Sequence, residues 1–321
     1  MVLWTILSLL GAAVFSPWLY MAGKSLAAHA NANECSAFVE WLGAACDRAK
    51  LGRYFSRSLM LSALVLLPFL IKRVRRIGIE QGHGRIIELN KLGTKQATAQ
   101  FILSAMIASG ILWAFGMILV QAGAFIEDPN PVKSSRLLSK CLAPAIGVSF
   151  IEEWLFRGLV LGLWLRTHGP IKATIYSSLL FSFLHFLKPP GGVPDPDSAL
   201  AGFVLLWKVI AHFAKPEFFV GDFITLTVVG TILCWVTLRT RSLWFAIGLH
   251  AGWVFAYAAF NLYYNYAHSP LHPWAVGLNL RSGVVPMFAL ILTAVLSHFV
   301  IRQLMCECRK KKRETGQSAS G

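Results

Sequence analysis

The stretch Cys141-Leu-Ala-Pro-Ala-Ile-Gly-Val-Ser-Phe-Ile-Glu-Glu-Trp-Leu-Phe-Arg-Gly-Leu-Val-Leu-Gly-Leu-Trp-Leu165 decides the fold. It is long enough to cross a bilayer as a helix, and its charged residues are Glu152, Glu153 and Arg157. Carboxylates at bilayer depth are expensive, so this run reads as a membrane helix that carries a functional site.

Composition agrees with that reading. The 321 residues are 56% hydrophobic and only 14% charged, and the mean hydropathy is +0.59. A soluble globule of this size would need more polar surface. The net charge of +15 would suggest nucleic acid in a soluble protein. Here the basic residues lie in loops and tails between apolar runs, so they read as orientation signals and lipid headgroup contacts, with no nucleic-acid partner.

Apolar runs of membrane-spanning length fall near residues 1 to 22, 57 to 71, 99 to 126, 141 to 165, 171 to 187, 219 to 238, 243 to 265 and 283 to 304. The predicted architecture is an all-α polytopic transmembrane bundle of about eight helices around an intramembrane polar cavity. The first run reads as a retained helix, because no basic segment precedes it as in a signal peptide, although Ala28-His29-Ala30 resembles a cleavage site. The second run is short and carries Arg57 at its edge, so it either completes its span by snorkelling or only dips into the membrane.

Lys72, Arg73, Arg75, Arg76, Arg85, Lys91 and Lys95 follow the second run, and Arg309, Lys310, Lys311, Lys312 and Arg313 follow the last. The positive-inside rule places both segments in the cytoplasm, and eight crossings from a cytoplasmic N-terminus put the Arg239/Arg241 loop on the same side. The expected location is a multi-pass protein of the cell (inner) membrane with both termini cytoplasmic. The segment Ala199 to Phe213 is short, interrupted by Lys208 and flanked by prolines, which suits an interfacial or re-entrant helix. The preceding Lys188 to Asp197 is a proline-rich turn segment. Cys35 and Cys46 share one polar loop, and would bridge only in an oxidising compartment that sequence does not fix. The other four cysteines read as ordinary apolar or tail residues.

Three helices carry polar groups at depth. On the first, Arg157 lies one turn below Glu153 at the favoured i, i+4 spacing, which pairs these two and leaves Glu152 to face a cavity as a candidate general base. The next holds His185, in Phe181-Ser-Phe-Leu-His185, and the third holds His250, in Gly248-Leu-His250-Ala-Gly252. At about 1.5 Å of rise per residue, the glutamates and both histidines fall near a common depth. Any one of them has a plain structural reading as an interhelical hydrogen bond or staple. Together they are a costly way to achieve packing that small residues would provide.

Glu-Glu-x-x-x-Arg, then Phe-x-x-x-His, then a histidine-bearing helix resemble, in order and spacing, the CAAX-protease and bacteriocin-processing (CPBP) intramembrane proteases, a family that includes the type II CAAX prenyl endopeptidases. The resemblance covers about Leu142 to Phe260. With the apolar runs it divides the chain into three regions: N-terminal transmembrane helices with a basic cytoplasmic loop at 1–140, the family-like protease core at 141–265, and a last transmembrane helix with a basic tail at 266–321, the first and last of which carry no part of the resemblance. It also implies hydrolysis of a peptide bond by water, with Glu152 activating the water, His185 assisting, Glu153 and Arg157 holding the geometry, and His250 stabilising the oxyanion. The expected partners are membrane lipid and a peptide or protein substrate, for which the resemblance offers a prenylated CAAX-type chain as one candidate. One position departs from the family pattern, since the residue four after His250 is Val254 where the family usually carries Asn or Asp.

No cofactor is obligatory in this reading. If zinc is used, Glu152, His185 and His250 are its expected ligands, yet no HExxH motif is present and glutamate-activated water is preferred. Two other functions fit the same residues: a catalytically weak relative acting as a scaffold or immunity factor, which Val254 supports, and a proton-coupled transporter using the carboxylates as a relay, for which internal symmetry is lacking.

Overall fold

Large apolar residues face outward and small ones inward along the first helix, the reverse of a soluble pattern. In α1 (Val2–Ala32) the buried positions Ser8, Ala12, Ser16, Tyr20, Gly23 and Ala27 recur at three- and four-residue spacing and are small apart from Tyr20, whereas Leu10, Phe15 and Trp18 are exposed. Helices in lipid gain little from burying leucine against leucine, so they associate through close-packing small residues, and the large ones face the acyl chains.

The computed structural model describes residues 2–80, 89, 92–129, 137–186, 200–213, 222–267, 280 and 283–314. The remaining helices are α2 (Ala37–Asp47), α3 (Leu51–Glu80), α4 (Thr94–Gln121), α5 (Ala143–Glu153), α6 (Leu161–Leu165), α7 (Pro170–His185), α8 (Ala201–Phe213), α9 (Ile224–Thr240), α10 (Leu243–Tyr263) and α11 (Val284–Glu314). Two π-helical segments, Leu138–Leu142 and Trp154–Val160, join their neighbours so that 138–165 is one continuous helical run. Five segments are long and apolar enough to cross a membrane: Leu3–Ala32, Leu51–Arg73, Thr94–Gln121, Leu243–Tyr263 and Val284–Leu304. The other three expected runs are also helical, but α7 has 16 residues, α9 has 17, and the third is interrupted by its π segments.

Three local expectations change. The second run is not short, because its helix starts at Leu51 and supplies 23 residues long and apolar enough to cross a membrane. The third stops at Gln121, where Gly123 adopts φ +74 and leads into a strand. The loop shared by Cys35 and Cys46 contains helix α2, and both cysteines are free thiols. The turn segment 188–197, Arg85, Lys91 and the extreme C-terminus lie outside the described residues.

Packing divides the chain into two units, residues 1–83 with 183–219 and residues 84–182 with 220–321. In the first, α1 packs on α2, α3 and α8. Gly202 of α8 lies against the Ala13 carbonyl and leaves no room for a Cβ, while Leu205 and Val209 are fully buried beside Ala12, Ala13 and Phe55. Ala201–Phe213 is therefore a short helix packed against a long one, with Phe203 and Trp207 on the exposed face.

In the second unit the central pair is α4 with α10. Gly248 meets Ser104 and the Phe101 carbonyl, and Gly252 meets Ala108 and the Ala105 carbonyl, so a Cβ at either glycine would collide with backbone. This is the glycine-mediated close approach of membrane helices. An antiparallel two-stranded ribbon closes one end of the pair, with β1 (Phe125–Glu127) against β2 (Tyr264–Tyr266) in the register Phe125↔Tyr266. Several threonine hydroxyls are satisfied within their own helix: Thr227, Thr231, Thr237 and Thr293 each donate to the carbonyl four residues earlier. Without water as an alternative partner, that is the cheapest solution for a hydroxyl in an apolar helix.

Candidate active site

The sequence places Glu152 and Glu153 at the end of α5, and the π segment that follows carries Arg157. Single π turns are rare and concentrate at functional sites, because the extra residue re-aims side chains within a helix. Glu153 and Arg157 are both buried, with no accessible side-chain surface. Arg157 Nη1 donates to Glu153 Oε1 at 2.8 Å, and Arg157 Nη2 donates to the Gly230 carbonyl of α9 at 3.2 Å. The i, i+4 pair expected from spacing is therefore present.

Glu153 does more than pair with Arg157. Its Oε1 also lies 2.8 Å from His250 Nδ1 on α10. A carboxylate already accepting from a guanidinium can only accept again, so Nδ1 carries the proton and donates. The other ring nitrogen, Nε2, is thereby turned toward Glu152, whose Oε2 is 3.8 Å away. The two adjacent glutamates thus contact opposite edges of one imidazole. Their exposures differ: the Glu152 side chain is 26% accessible and that of Glu153 is 0%. Glu153 is the buried anchor and Glu152 faces open space.

The histidine is held from its other sides as well. Gly248 and Gly252 flank it and bring α10 against α4, while α10 also packs on α5. The buried Phe181 of α7 presents its face to the Arg157 guanidinium, 4.5 Å from the ring centroid, and meets the His250 ring edge-on at 6.0 Å. An aromatic face stabilises a cation in a dry site. Phe181 and Gly230 are the contacts that reasoning from titratable residues passes over. Phe181 was visible as the first residue of Phe-x-x-x-His, but Gly230 left no local signal.

Glu152, Glu153, Arg157 and His250 thus meet in the second unit. His185 is the last residue of α7, half-buried, and belongs to the first unit. Val254 is half-buried one turn beyond His250 and offers no polar group. Asn261 does not substitute for it, because its amide donates to the Tyr257 carbonyl on its own helix.

Among the described residues no three His, Cys, Asp or Glu side chains are grouped to hold a metal ion. Within the second unit His250 Nδ1 is engaged by Glu153, and the donors that face each other are His250 Nε2 and Glu152.

Residues 134–256 match the family model described as Type II CAAX prenyl endopeptidase Rce1-like. No match was found among curated proteins or among solved structures. The matched span contains Glu152, Glu153, Arg157, Phe181, His185 and His250. That family is one of proteases, and over this core, which is less than half of the chain, the protein is similar to it.

Proposed function

We propose that the protein is an intramembrane endopeptidase that hydrolyses a peptide bond of a membrane-associated substrate, of the kind presented near the C-terminus of a prenylated protein, using glutamate-activated water. One observation carries this reading: Glu153 holds the Nδ1 edge of His250 so that Nε2 faces the partly exposed Glu152 carboxylate.

In the proposed reaction Glu152 takes a proton from water as the water oxygen attacks the scissile carbonyl carbon, and the carbonyl electron pair moves onto oxygen. His250 Nε2–H donates to that oxyanion while Nδ1–H stays on Glu153. A pre-aligned donor of this kind lowers the barrier more in a water-poor cavity than in solution. The C–N bond then breaks as Glu152 passes its proton to the departing nitrogen. Family resemblance assigns His185 the assisting role at the water. Glu153, Arg157 and Phe181 act as positioning residues.

The test compares membrane peptides from cells carrying the intact chain with those from cells carrying Glu152→Ala or His185→Ala. A peptide trimmed only by the intact chain supports the reading and names the substrate class. Trimming that persists in both variants refutes it.

Val254 favours a second reading, that of a catalytically weak relative acting as a membrane scaffold. Under it, neither Glu152→Ala nor His185→Ala changes the peptide population, while Val254→Asn creates new cleavage.

A further inference from the structure

A cationic rim at one end of the second unit is separate from the Glu153–His250 centre. Helices α7 and α9 run antiparallel. Ser182 donates to the Phe223 carbonyl at 2.9 Å, Ser178 packs on Gly230 and Cys234, and Ala173 shares a buried cluster with Leu161 and Cys234, flanked by Trp164 and Leu238. Continued toward the helix ends, this pairing sets the start of α7 beside the end of α9, roughly 8–10 Å apart, as for packed helices.

Two tight turns therefore meet there. One holds Arg166 and leads to Lys172, and the other holds Arg239 and Arg241. Arg166 is half-buried and the other three are exposed. Arg241 caps α9 in the left-handed region, at φ 50. No Asp or Glu occurs anywhere in residues 161–182 or 223–263. Among the described residues none of the four cations forms an ion pair. Helix starts and helix ends alternate at this rim, so their dipoles largely cancel and the side chains set the field.

Aromatic rings lie beside these cations. Trp164, His168 and Tyr176 pack on one another with centroids 5.0 to 5.3 Å apart. Trp and Tyr at the end of an apolar bundle mark the headgroup level of a bilayer. The rim thus combines uncompensated positive charge with rings suited to the depth at which phosphate groups lie.

We propose that this rim is a binding site for the phosphodiester headgroup of an anionic phospholipid, held between the 166–172 turn and the 239–241 turn. Neighbouring cations near a charged leaflet act together, so removing all four weakens binding on the order of a hundredfold. Ser242, which caps α10 by accepting from Trp244 N, directly follows Arg241. A seated headgroup therefore contacts the helix that carries His250, about 12 Å along its axis.

The test uses the full chain in phosphatidylcholine nanodiscs with and without roughly one-fifth phosphatidylglycerol, a fraction comparable to an anionic leaflet. Bound lipid is counted by native mass spectrometry, and affinity is measured by titration. Phosphatidylglycerol is expected to bind at least tenfold more tightly than phosphatidylcholine. The Arg166→Gln/Lys172→Gln/Arg239→Gln/Arg241→Gln variant should lose that preference, whereas Arg53→Gln/Arg57→Gln in the other unit should keep it. If the quadruple variant fails to fold, the Lys172→Gln/Arg241→Gln pair is measured instead, with at least a fivefold loss expected. Equal binding of both lipids, or a preference unchanged in the rim variants, overturns the proposal and leaves these residues as orientation signals only. Inorganic phosphate binding as tightly as phosphatidylglycerol overturns it in favour of a soluble anion site.

Discussion

The Glu153–Arg157 pair makes the most demanding prediction. The two side chains are fully buried at 2.8 Å, which at an effective dielectric of about 20 corresponds to about 6 kcal/mol of attraction. Desolvation of both ions offsets much of that, so the pair as a whole contributes little net stability. Removing one partner is different. Glu153→Gln leaves the buried guanidinium with neutral acceptors and the Phe181 face but no counter-charge, and Arg157→Met leaves a buried carboxylate with His250 but without its guanidinium. Each single variant should lose about 3–5 kcal/mol. The double variant Glu153→Gln/Arg157→Met should recover most of that loss, because no buried charge is left alone. Proteolysis should not recover with it, since His250 Nδ1 then lacks the carboxylate that anchors the ring. Stability is measured by thermal unfolding in detergent, and turnover on the substrate identified by the peptide comparison. The reasoning fails if both single variants lose less than about 1 kcal/mol, the range of an exposed pair, or if the double variant regains activity along with stability.

Other predictions concern the supports of the same centre. Gly252→Ala should push α10 from the Ala105 carbonyl of α4, costing about 1–3 kcal/mol as an overpacked core does. Turnover should fall with it, while Gly147→Ala, where a Cβ meets nothing within 4 Å, should change neither. Val254→Asn restores a donor one turn from His250 and should raise kcat by roughly tenfold to a hundredfold if the present site lacks a second oxyanion donor. An unchanged kcat would show that another group already fills that role. Treatment with a chelator should leave cleavage intact, and inhibition reversed by added zinc would overturn the metal-free mechanism.

Much of the site was legible from one helix. Spacing alone paired Glu153 with Arg157, since i and i+4 share a face whatever surrounds the helix. The same local rule concealed the second role of Glu153. Its bond to His250 joins residues 97 positions apart, and no helical period reports a contact between helices. Phe181 and Gly230 were hidden for a related reason, because an aromatic face or a backbone carbonyl becomes part of a charged site only when another helix brings a cation to it.

Sequence by itself determined the class of this protein. Long apolar runs in a chain with few charges can satisfy their backbone in lipid only as helices, and glutamates inside one of them mark a polar centre. It also showed which residues were candidates, because their types and spacing recur in a protease family. Tertiary structure decided how the adjacent glutamates differ. Packing of α10 between α4 and α5, set by Gly248 and Gly252, brings His250 between the two carboxylates, burying Glu153 as its anchor and leaving Glu152 accessible. Neighbours in sequence point in different directions on a helix, and only the surrounding helices settle which direction leads into the core and which toward open space.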